Sequence, residues 1–315
     1  MKNSAYPPEG GLYGEQSVKD HVRSLSSLEK AKESGVILEG KAFRCSEDHD
    51  LYVRLKSGIV GVIPFEECVN DTVRESSREI AAISRVGKYV CFKVIDTCGA
   101  MPVFSRKAAQ EECMEKCISR YESGDVIDAV VTHMEPFGAF CDIGCGIISL
   151  LPIDSMSVSR ISHPRDRFFA SQKIKAVIRT PCDENGRVTL THKELLGTWE
   201  ENASRFSPCQ AVTGKVRSVE KYGIFVELSP NLAGLAEYAE GFEVGDTVSV
   251  YIKSVIPQKM KVKLIIIDKA EKEKPDYAYD YIIPSEKLER WVYSPQSSFK
   301  TVETVFQNTN SNWMP

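Results

Sequence analysis

The chain has 315 residues, of which 42% are hydrophobic and 27% are charged, and its formal net charge is −4. This composition is typical of globular proteins, and the length is sufficient for two or three small domains. A slightly acidic chain excludes a globally basic nucleic-acid-binding domain, so any nucleic-acid site has to be a local face.

The apolar runs are too short to cross a bilayer, and the first residues, MKNSAYPPEGGLYGEQS, lack the apolar core of a signal peptide. We therefore expect a cytoplasmic protein without a membrane segment. The ten cysteines are scattered and contain no C-x-x-C pair. Cys113 and Cys117 lie four residues apart, but no His or Cys pair stands nearby to complete a metal site. We expect reduced, structural thiols and no metal site.

Residues 1–35 form an N-terminal extension. Apolar residues at three- and four-residue spacing predict a helix over 17–35 that ends at Gly35. A first unit follows over 36–107. Its alternating apolar residues predict strands, with a segment of helical spacing at 70–85 between the third strand and the fourth. The predicted strands are 41–45, 51–55, 59–63, 90–95 and 102–105.

A helical linker at 108–121 leads to a second unit over 122–192. The predicted strands of this unit are 126–134, 138–143, 147–151, 173–179 and 188–191. An insert at 154–171 carries the segment SRISHPRDRFF, the densest basic cluster of the chain. This cluster is either a solvated loop or a loop that contacts a nucleic acid.

A second linker, 193–206, precedes a third unit over 207–268. The linker's apolar residues fit one helix face; they are Leu195, Leu196, Trp199, Ala203 and Phe206. The predicted strands of the third unit are 212–219, 224–228, 234–236, 247–255 and 261–267. The tail, 269–315, has little periodicity but carries aromatic residues at 277, 279, 281, 291, 293 and 306. It is either an extended arm that packs on a unit, which we favour, or a recognition tail.

Five short strands in about 70 residues, with a helical insert after the third, predict a five-stranded Greek-key barrel. The three units also share a sequence pattern, with a period near 86 residues. The matching segments read DHDLYVRLKSGIVGVIP (48–64), EPFGAFCDIGCGIISLLP (135–152) and KYGIFVELSPNLAGLAE (221–237). We therefore expect three copies of one barrel.

Aromatic residues recur within this pattern. Phe137 aligns with Tyr222 and His49, and Phe140 aligns with Phe225 and Tyr52. One aromatic in one strand more often belongs to the core. Recurrence of F/Y-G-x-F at the same register instead favours an exposed stacking platform, where stacking contributes about 1–3 kcal/mol per base.

The segment GDVIDAVVTHMEPFGAFCDIG resembles the opening of an S1 domain, the RNA-binding OB-fold repeat of bacterial ribosomal protein S1. The resemblance extends over roughly residues 36–268, is strongest in the second unit and is degenerate in the first. It implies a mainly β fold: three tandem five-stranded OB-fold barrels joined by short helices, with an N-terminal helix and an irregular C-terminal tail.

The resemblance also implies an RNA face. The family carries two aromatics on strand two, a histidine near the end of strand three, and an Asp and an Arg around the turn before strand five. In the second unit these positions hold Phe137, Phe140, Asp183 and Arg187, whereas Pro152 replaces the histidine.

The third unit keeps the aromatics as Tyr222 and Phe225. Lys261 stands at the arginine position, and Glu237 replaces the histidine. In the first unit His49 and Tyr52 stand at the aromatic positions, so we expect RNA binding there to be weaker or absent.

Further basic residues are candidates for phosphate contacts. We expect Lys175 in the second unit and Lys221 in the third to bind RNA. Lys215, Arg217 and Lys253 are other candidates.

No phosphate loop, G-x-S-x-G or H-E-x-x-H motif occurs, so we expect no enzyme and no small-molecule cofactor. The expected function is binding of single-stranded RNA, including mRNA, in translation, with the small ribosomal subunit as a candidate partner. The alternative is a protein-binding adaptor of the ribosome or of an RNA-processing enzyme. The acidic balance, the weakened first unit and the aromatic tail motivate this alternative.

Overall fold

The computed structural model describes residues 5–13, 15–69, 75–271, 279–283 and 285–307. Its strands form three closed five-stranded barrels and one two-stranded sheet. In each barrel the order is first, second, third, fifth and fourth strand, and the first strand closes the barrel by pairing with the fourth. The third and fifth strands run parallel. This is the Greek-key barrel predicted from the strand pattern.

Two short helices and the first barrel occupy the N-terminal part. The helices before it are α1 (Gln16–His21) and α2 (Leu25–Ser34), and α3 (Glu75–Ile83) follows the third strand. The strands are β1 (Leu38–Cys45), β2 (Leu51–Arg54), β3 (Val60–Ile63), β4 (Tyr89–Asp96) and β5 (Val103–Ser105). The helix predicted over 70–85 is thus shorter, and residues 70–74 lie outside the described residues.

The single N-terminal helix predicted over 17–35 is wrong, because the chain forms two helices there. Ser24 begins α2: its hydroxyl accepts the N–H of Ser27 at 3.2 Å, and the Ser27 hydroxyl accepts the N–H of Ser24 at 2.9 Å. Gly35 ends α2 with a positive φ of 64°, at the predicted position.

The second and third barrels follow the same plan. The second consists of β6 (Val126–Glu135), β7 (Gly138–Asp142), β8 (Ile148–Pro152), β9 (Lys173–Thr180) and β10 (Thr189–Thr191). The third consists of β11 (Ala211–Glu220), β12 (Gly223–Ser229), β13 (Leu232–Ala236), β14 (Thr247–Ile256) and β15 (Lys261–Lys269). Helix α4 (Arg106–Lys116) links the first barrel to the second, and α5 (Trp199–Ala203) lies between the second and the third.

The second linker is not one helix, so the single helix face predicted over 193–206 is wrong. A short 3-10 turn, Lys193–Leu196, precedes α5, and Gly197 separates them at a φ of 83°. Thr198 then begins α5, because its hydroxyl accepts the N–H of Glu201 at 3.2 Å. Leu195 and Trp199 are nevertheless both buried, in different apolar clusters.

Strand alternation in β7 follows the prediction with one exception. Ala139 and Cys141 are fully buried inside the barrel, and Phe140 is half-buried on the outer side. Asp142 alternates onto the same outer side but is buried, because the N-terminal segment covers it. Its Oδ2 accepts the N–H of Glu9 at 2.8 Å, and its Oδ1 accepts the N–H of Gly144 at 2.9 Å.

Residues 5–13 run between the first two barrels. The Glu9 carboxylate pairs with Arg106 at 2.7 Å and with Arg85 at 3.4 Å. Burial opposes ionisation of Glu9, but the two guanidinium groups outweigh it and hold the pKa of that carboxyl below its ordinary value. On the other side the N–H of Cys145 donates to the Pro7 carbonyl at 3.0 Å. This segment therefore joins the first two barrels.

A buried ionic cluster joins the second barrel to the third. Arg167, in the insert, donates to both carboxylate oxygens of Glu227 on β12 at 3.0 and 2.6 Å. Arg217 on β11 donates to the same oxygens at 2.7 and 3.1 Å. Because both arginines are more than 90% buried, the idea that they contact phosphates is wrong.

The tail packs on the barrels, as we favoured, but it is not irregular throughout. β16 (Arg290–Val292) pairs with β17 (Glu303–Val305) in a hairpin. Trp291 and Tyr293 are buried in the apolar cluster of the third barrel, and the Tyr293 hydroxyl donates to the Asn231 carbonyl at 2.6 Å. Tyr277 lies outside the described residues. Within the described part of the chain, we find no helix with the length and apolarity needed for a membrane span.

Candidate nucleic-acid interface

Two barrels carry the same exposed pair of aromatic rings. Phe137 is 57% exposed, and its ring centroid lies 6.0 Å from that of the half-buried Phe140, with the ring planes at 90°. Tyr222 is 69% exposed and lies 6.2 Å from Phe225, with the planes at 87°. The edge-to-face arrangement in both barrels leaves ring faces available to a flat ligand.

A glycine explains how each pair is held. A Cβ on Gly138 would lie 2.7 Å from the Leu151 carbonyl oxygen, and one on Gly223 would lie 2.4 Å from that of Ala236. The second strand therefore approaches the third closely just where the two aromatic positions flank the glycine. This close approach is the structural reason for the glycine in F/Y-G-x-F.

The inner aromatic belongs to a row of paired residues that crosses four strands. In the second barrel the Cα partners in this row are His133, Phe140, Leu150 and Thr189. In the third barrel they are Ser218, Phe225, Leu235 and Lys263. Equivalent residues of the two barrels can therefore be compared position by position.

His133 lies on the same face as Phe140, and the sequence did not reveal this. Its ring is stacked on Phe140 at a centroid distance of 6.2 Å and an interplanar angle of 21°, and its Nε2 lies 2.5 Å from Glu135 Oε1. A register shift between Val131 and His133 places the imidazole opposite Phe140. Only knowledge of the strand pairing could have identified it.

Asp183 and Arg187 lie together in the turn before β10. The Asp183 carboxylate accepts the N–H of Asn185 at 2.9 Å and that of Arg187 at 2.8 Å, so it shapes the turn. The Arg187 side chain is exposed. Together with Phe140, it lines a cleft of about 460 Å³ that extends to α4 and the end of α3. Phe140 and Arg187, two of the predicted residues of the second barrel, thus share one cleft.

The third barrel offers lysines at the corresponding places. Lys261 is exposed and stands two residues before Lys263, just as Arg187 stands two residues before Thr189. Lys221, also exposed, directly precedes Tyr222. The third barrel therefore has the compact ammonium group of Lys261 at the position where the second barrel has the planar guanidinium group of Arg187.

Lys175 lies away from this face. It forms an ion pair with Asp128, its partner on β6, and its N–H donates to the Tyr281 hydroxyl at 3.2 Å. Asp128 precedes His133 by five residues, which corresponds to roughly 16 Å along a strand. The contacts of Lys175 hold the tail against the barrel.

The first barrel lacks the aromatic pair. His49 adopts a left-handed φ of 66°, and its ring lies 5.5 Å from Phe65. Tyr52 is covered by the guanidinium of Arg44, its cross-strand partner, at 5.2 Å from the ring centroid. His49 and Tyr52 therefore align in sequence with the aromatic pairs of the other barrels, but their rings are not arranged as such a pair.

None of the ten cysteines forms a disulfide. Burial raises the pKa of the Cys68 and Cys141 thiols to about 12. Among the described residues, no group of His, Cys, Asp or Glu side chains is arranged to hold a metal ion.

Comparison with known sequences agrees with this geometry. Residues 120–193, which span the barrel with the fullest aromatic face, match the family described as the S1 RNA binding domain. The second barrel is therefore similar to an S1 RNA binding domain.

Curated relatives extend the S1 match beyond one barrel. The chain is 30% identical over 198 residues to the small ribosomal subunit protein bS1 of Leuconostoc lactis, covering 58% of this chain and 46% of the relative. It is 33% identical over 143 residues to bS1 of Rhodopseudomonas palustris, covering 44% and 25%. The chain therefore spans less than half the length of these relatives.

A solved structure of an uncharacterized protein from Methanocaldococcus jannaschii is 29% identical to the chain. It covers 20% of this chain and 93% of its own, with a TM-score of 0.19.

Proposed function

We propose that the protein binds single-stranded RNA, mRNA included, through the outer faces of its second and third barrels. The observation that carries the proposal is the edge-to-face aromatic pair, repeated at one register as Phe137–Phe140 and Tyr222–Phe225. Base stacking on exposed rings tolerates any sequence, because every base has a π-face. The match to the S1 RNA binding domain supports the same ligand for the second barrel.

Cations beside each pair support contacts to the phosphates. Arg187 shares a cleft with Phe140, and Lys261 of the third barrel stands at the strand position that corresponds to Arg187. The net charge of −4 means that the whole chain does not attract RNA, so binding depends on these local groups. We expect moderate affinity that falls as salt rises.

We further propose that the protein acts in translation in the bacterial cytoplasm, in contact with the small ribosomal subunit, and without catalysis of its own. The relatives named small ribosomal subunit protein bS1 support this setting. Two binding barrels in one chain raise the effective concentration of the second contact once the first has formed.

Binding of a fluorescein-labelled oligouridylate to the full chain tests the aromatic face. Replacing Phe140 or Phe225 with alanine should weaken binding about fivefold or more, since each stacked base contributes about 1–3 kcal/mol. Tyr52→Ala in the first barrel is the matched control and should leave affinity unchanged. Equal affinities for all three variants and the unmodified chain would contradict the stacking site.

The alternative, a protein-binding role, is favoured for the first barrel alone. Ile80 and Ile83 on α3 are 71% and 50% exposed, and His49 and Tyr52 do not form the edge-to-face pair seen in the other two barrels. A ribosomal protein retained after nuclease treatment, and lost in an Ile80→Asp, Ile83→Asp variant, would support protein contact by this barrel. Loss of every partner on nuclease treatment would exclude it.

A further inference from the structure

An aromatic side chain outside the barrels stands next to the face of the third barrel. Phe299 lies in the loop between β16 and β17, and 83% of its side chain is exposed. No other large apolar side chain in the described residues is as exposed. The packing of the tail does not account for this position, because the tail aromatics that pack, such as Trp291 and Tyr293, are buried.

The loop that carries Phe299 is held in place. The N–H of Phe299 donates to the Gln258 carbonyl at 3.1 Å, and the N–H of Ser298 donates to the Pro295 carbonyl at 3.0 Å. The N–H of Lys300 donates to the Ser298 hydroxyl at 3.2 Å. The hairpin of β16 and β17 is anchored by Tyr293, whose hydroxyl donates to the Asn231 carbonyl. The backbone is therefore fixed while the phenyl ring projects into solvent.

The loop of Phe299 is attached to a turn of the third barrel. Gln258 belongs to the turn Pro257–Lys259 between the fourth and fifth strands of the third barrel. In five-stranded barrels of this type, that loop is one of the two that contact nucleic acids. The strand after the turn begins with Lys261 and continues to Lys263, which lies in the row of Phe225.

Charge at this place favours RNA over an apolar protein segment. Three exposed lysines lie nearby along the chain. Lys259 directly follows Gln258, and Lys261 lies two residues further on. Lys300 directly follows Phe299. An exposed aromatic among cations suits a base stacked on the ring with its phosphates near the ammonium groups.

We propose that Phe299 is an additional stacking residue for single-stranded RNA, supplied by the tail to the third barrel. The proposal rests on the RNA binding proposed above and extends it beyond the barrel itself. The tail loop would thus add a third aromatic ring to the Tyr222–Phe225 pair of the third barrel, on the side of Lys261. The second barrel has a longer turn of its own at this place, which carries Asp183 and Arg187.

Binding of labelled oligouridylate to the full chain tests the proposal. Phe299→Ala should weaken binding about fivefold or more. Val305→Ala removes an apolar side chain that is 50% exposed on β17 of the same hairpin, and it should change affinity less than about twofold. In a Phe299→Trp variant, RNA should quench tryptophan emission more than it does in the unmodified chain, because the new indole would stack on a base.

The outcomes separate the two proposals. If Phe225→Ala weakens binding whereas Phe299→Ala does not, and the Phe299→Trp emission is unchanged by RNA, the role of Phe299 is wrong and the barrel face stands. If the chain binds no RNA, or if none of the aromatic variants weakens binding, both proposals are wrong.

Discussion

At the residue scale, the glycine in F/Y-G-x-F is explained by the short distance between two strands. Sequence spacing revealed that the glycine recurs, at Gly138 and Gly223, but not the contact that requires it. The structure shows that the second strand lies too close to the third for a Cβ at either position. The positions of Phe137 and Phe140 followed from the sequence, because alternation within a strand is local. The stacking of His133 on Phe140 did not, because it depends on a register shift between strands.

Gly223→Ala should lower the free energy of unfolding by about 1–3 kcal/mol more than Gly241→Ala does. Both glycines have positive φ values, 151° and 89°, so backbone strain is common to the two variants. Only at Gly223 would the new Cβ collide with a neighbouring strand, since nothing lies within 4 Å at Gly241. Urea denaturation measures the difference, and equal losses of stability would contradict the close approach.

At the element scale, the tail is anchored by a buried histidine that follows the second barrel. His192 Nε2 lies 3.2 Å from the Tyr281 hydroxyl, and its Nδ1 lies 3.0 Å from the Met156 carbonyl. Tyr279 packs on the same ring at a centroid distance of 4.9 Å. The sequence marked these tyrosines as candidates for packing. It could not identify their partner, because residues about 90 positions apart form the contact.

Burial lowers the pKa of His192 to about 4, and the nearby Arg167 adds to this effect, while the hydrogen bond to Met156 opposes it. An ordinary histidine in the unfolded chain titrates near 6.5, so protons bind the unfolded state first as the pH falls. We expect stability to decrease between pH 6.5 and about 4, by up to about 3 kcal/mol from this residue.

A comparison of the unmodified chain with His192→Gln isolates the contribution of His192 to the pH dependence of stability. The variant should be less stable at pH 7, because it loses ring packing, but its free energy of unfolding should change less over the same pH interval. Urea denaturation at a series of pH values measures both curves. Parallel curves would show that His192 does not take up a proton on unfolding.

At the scale of the whole molecule, the barrels were predictable and their joints were not. Each barrel arises from short alternating strands and turn residues, which are legible along the sequence. The joint between the second and third barrels depends on Arg167 and Glu227, which are 60 residues apart. Charged residues in a polar insert are typical of a solvated surface, and only the packing of one barrel on the next buries them.

Glu227→Gln should destabilise the chain by about 3–5 kcal/mol, because it leaves Arg167 and Arg217 buried without their shared carboxylate. Glu220→Gln, at an exposed position on β11, is the control and should change stability by less than about 0.5 kcal/mol. Calorimetric unfolding measures the loss, and small-angle scattering would detect a separation of the barrels. Equal unfolding curves for the two variants would contradict the role of this cluster.

The segment between the first two barrels also constrains the order of folding during synthesis. Glu9 donates its N–H to Asp142, a residue 133 positions later, so the two ends of this contact leave the ribosome far apart in time. The strands of the first barrel can pair as soon as they emerge, since domains generally fold as units. The N-terminal segment, in contrast, can complete its contacts only after β7 and the loop that follows it have been translated. The contacts between the N-terminal segment and both barrels therefore form only after the second barrel has been synthesised.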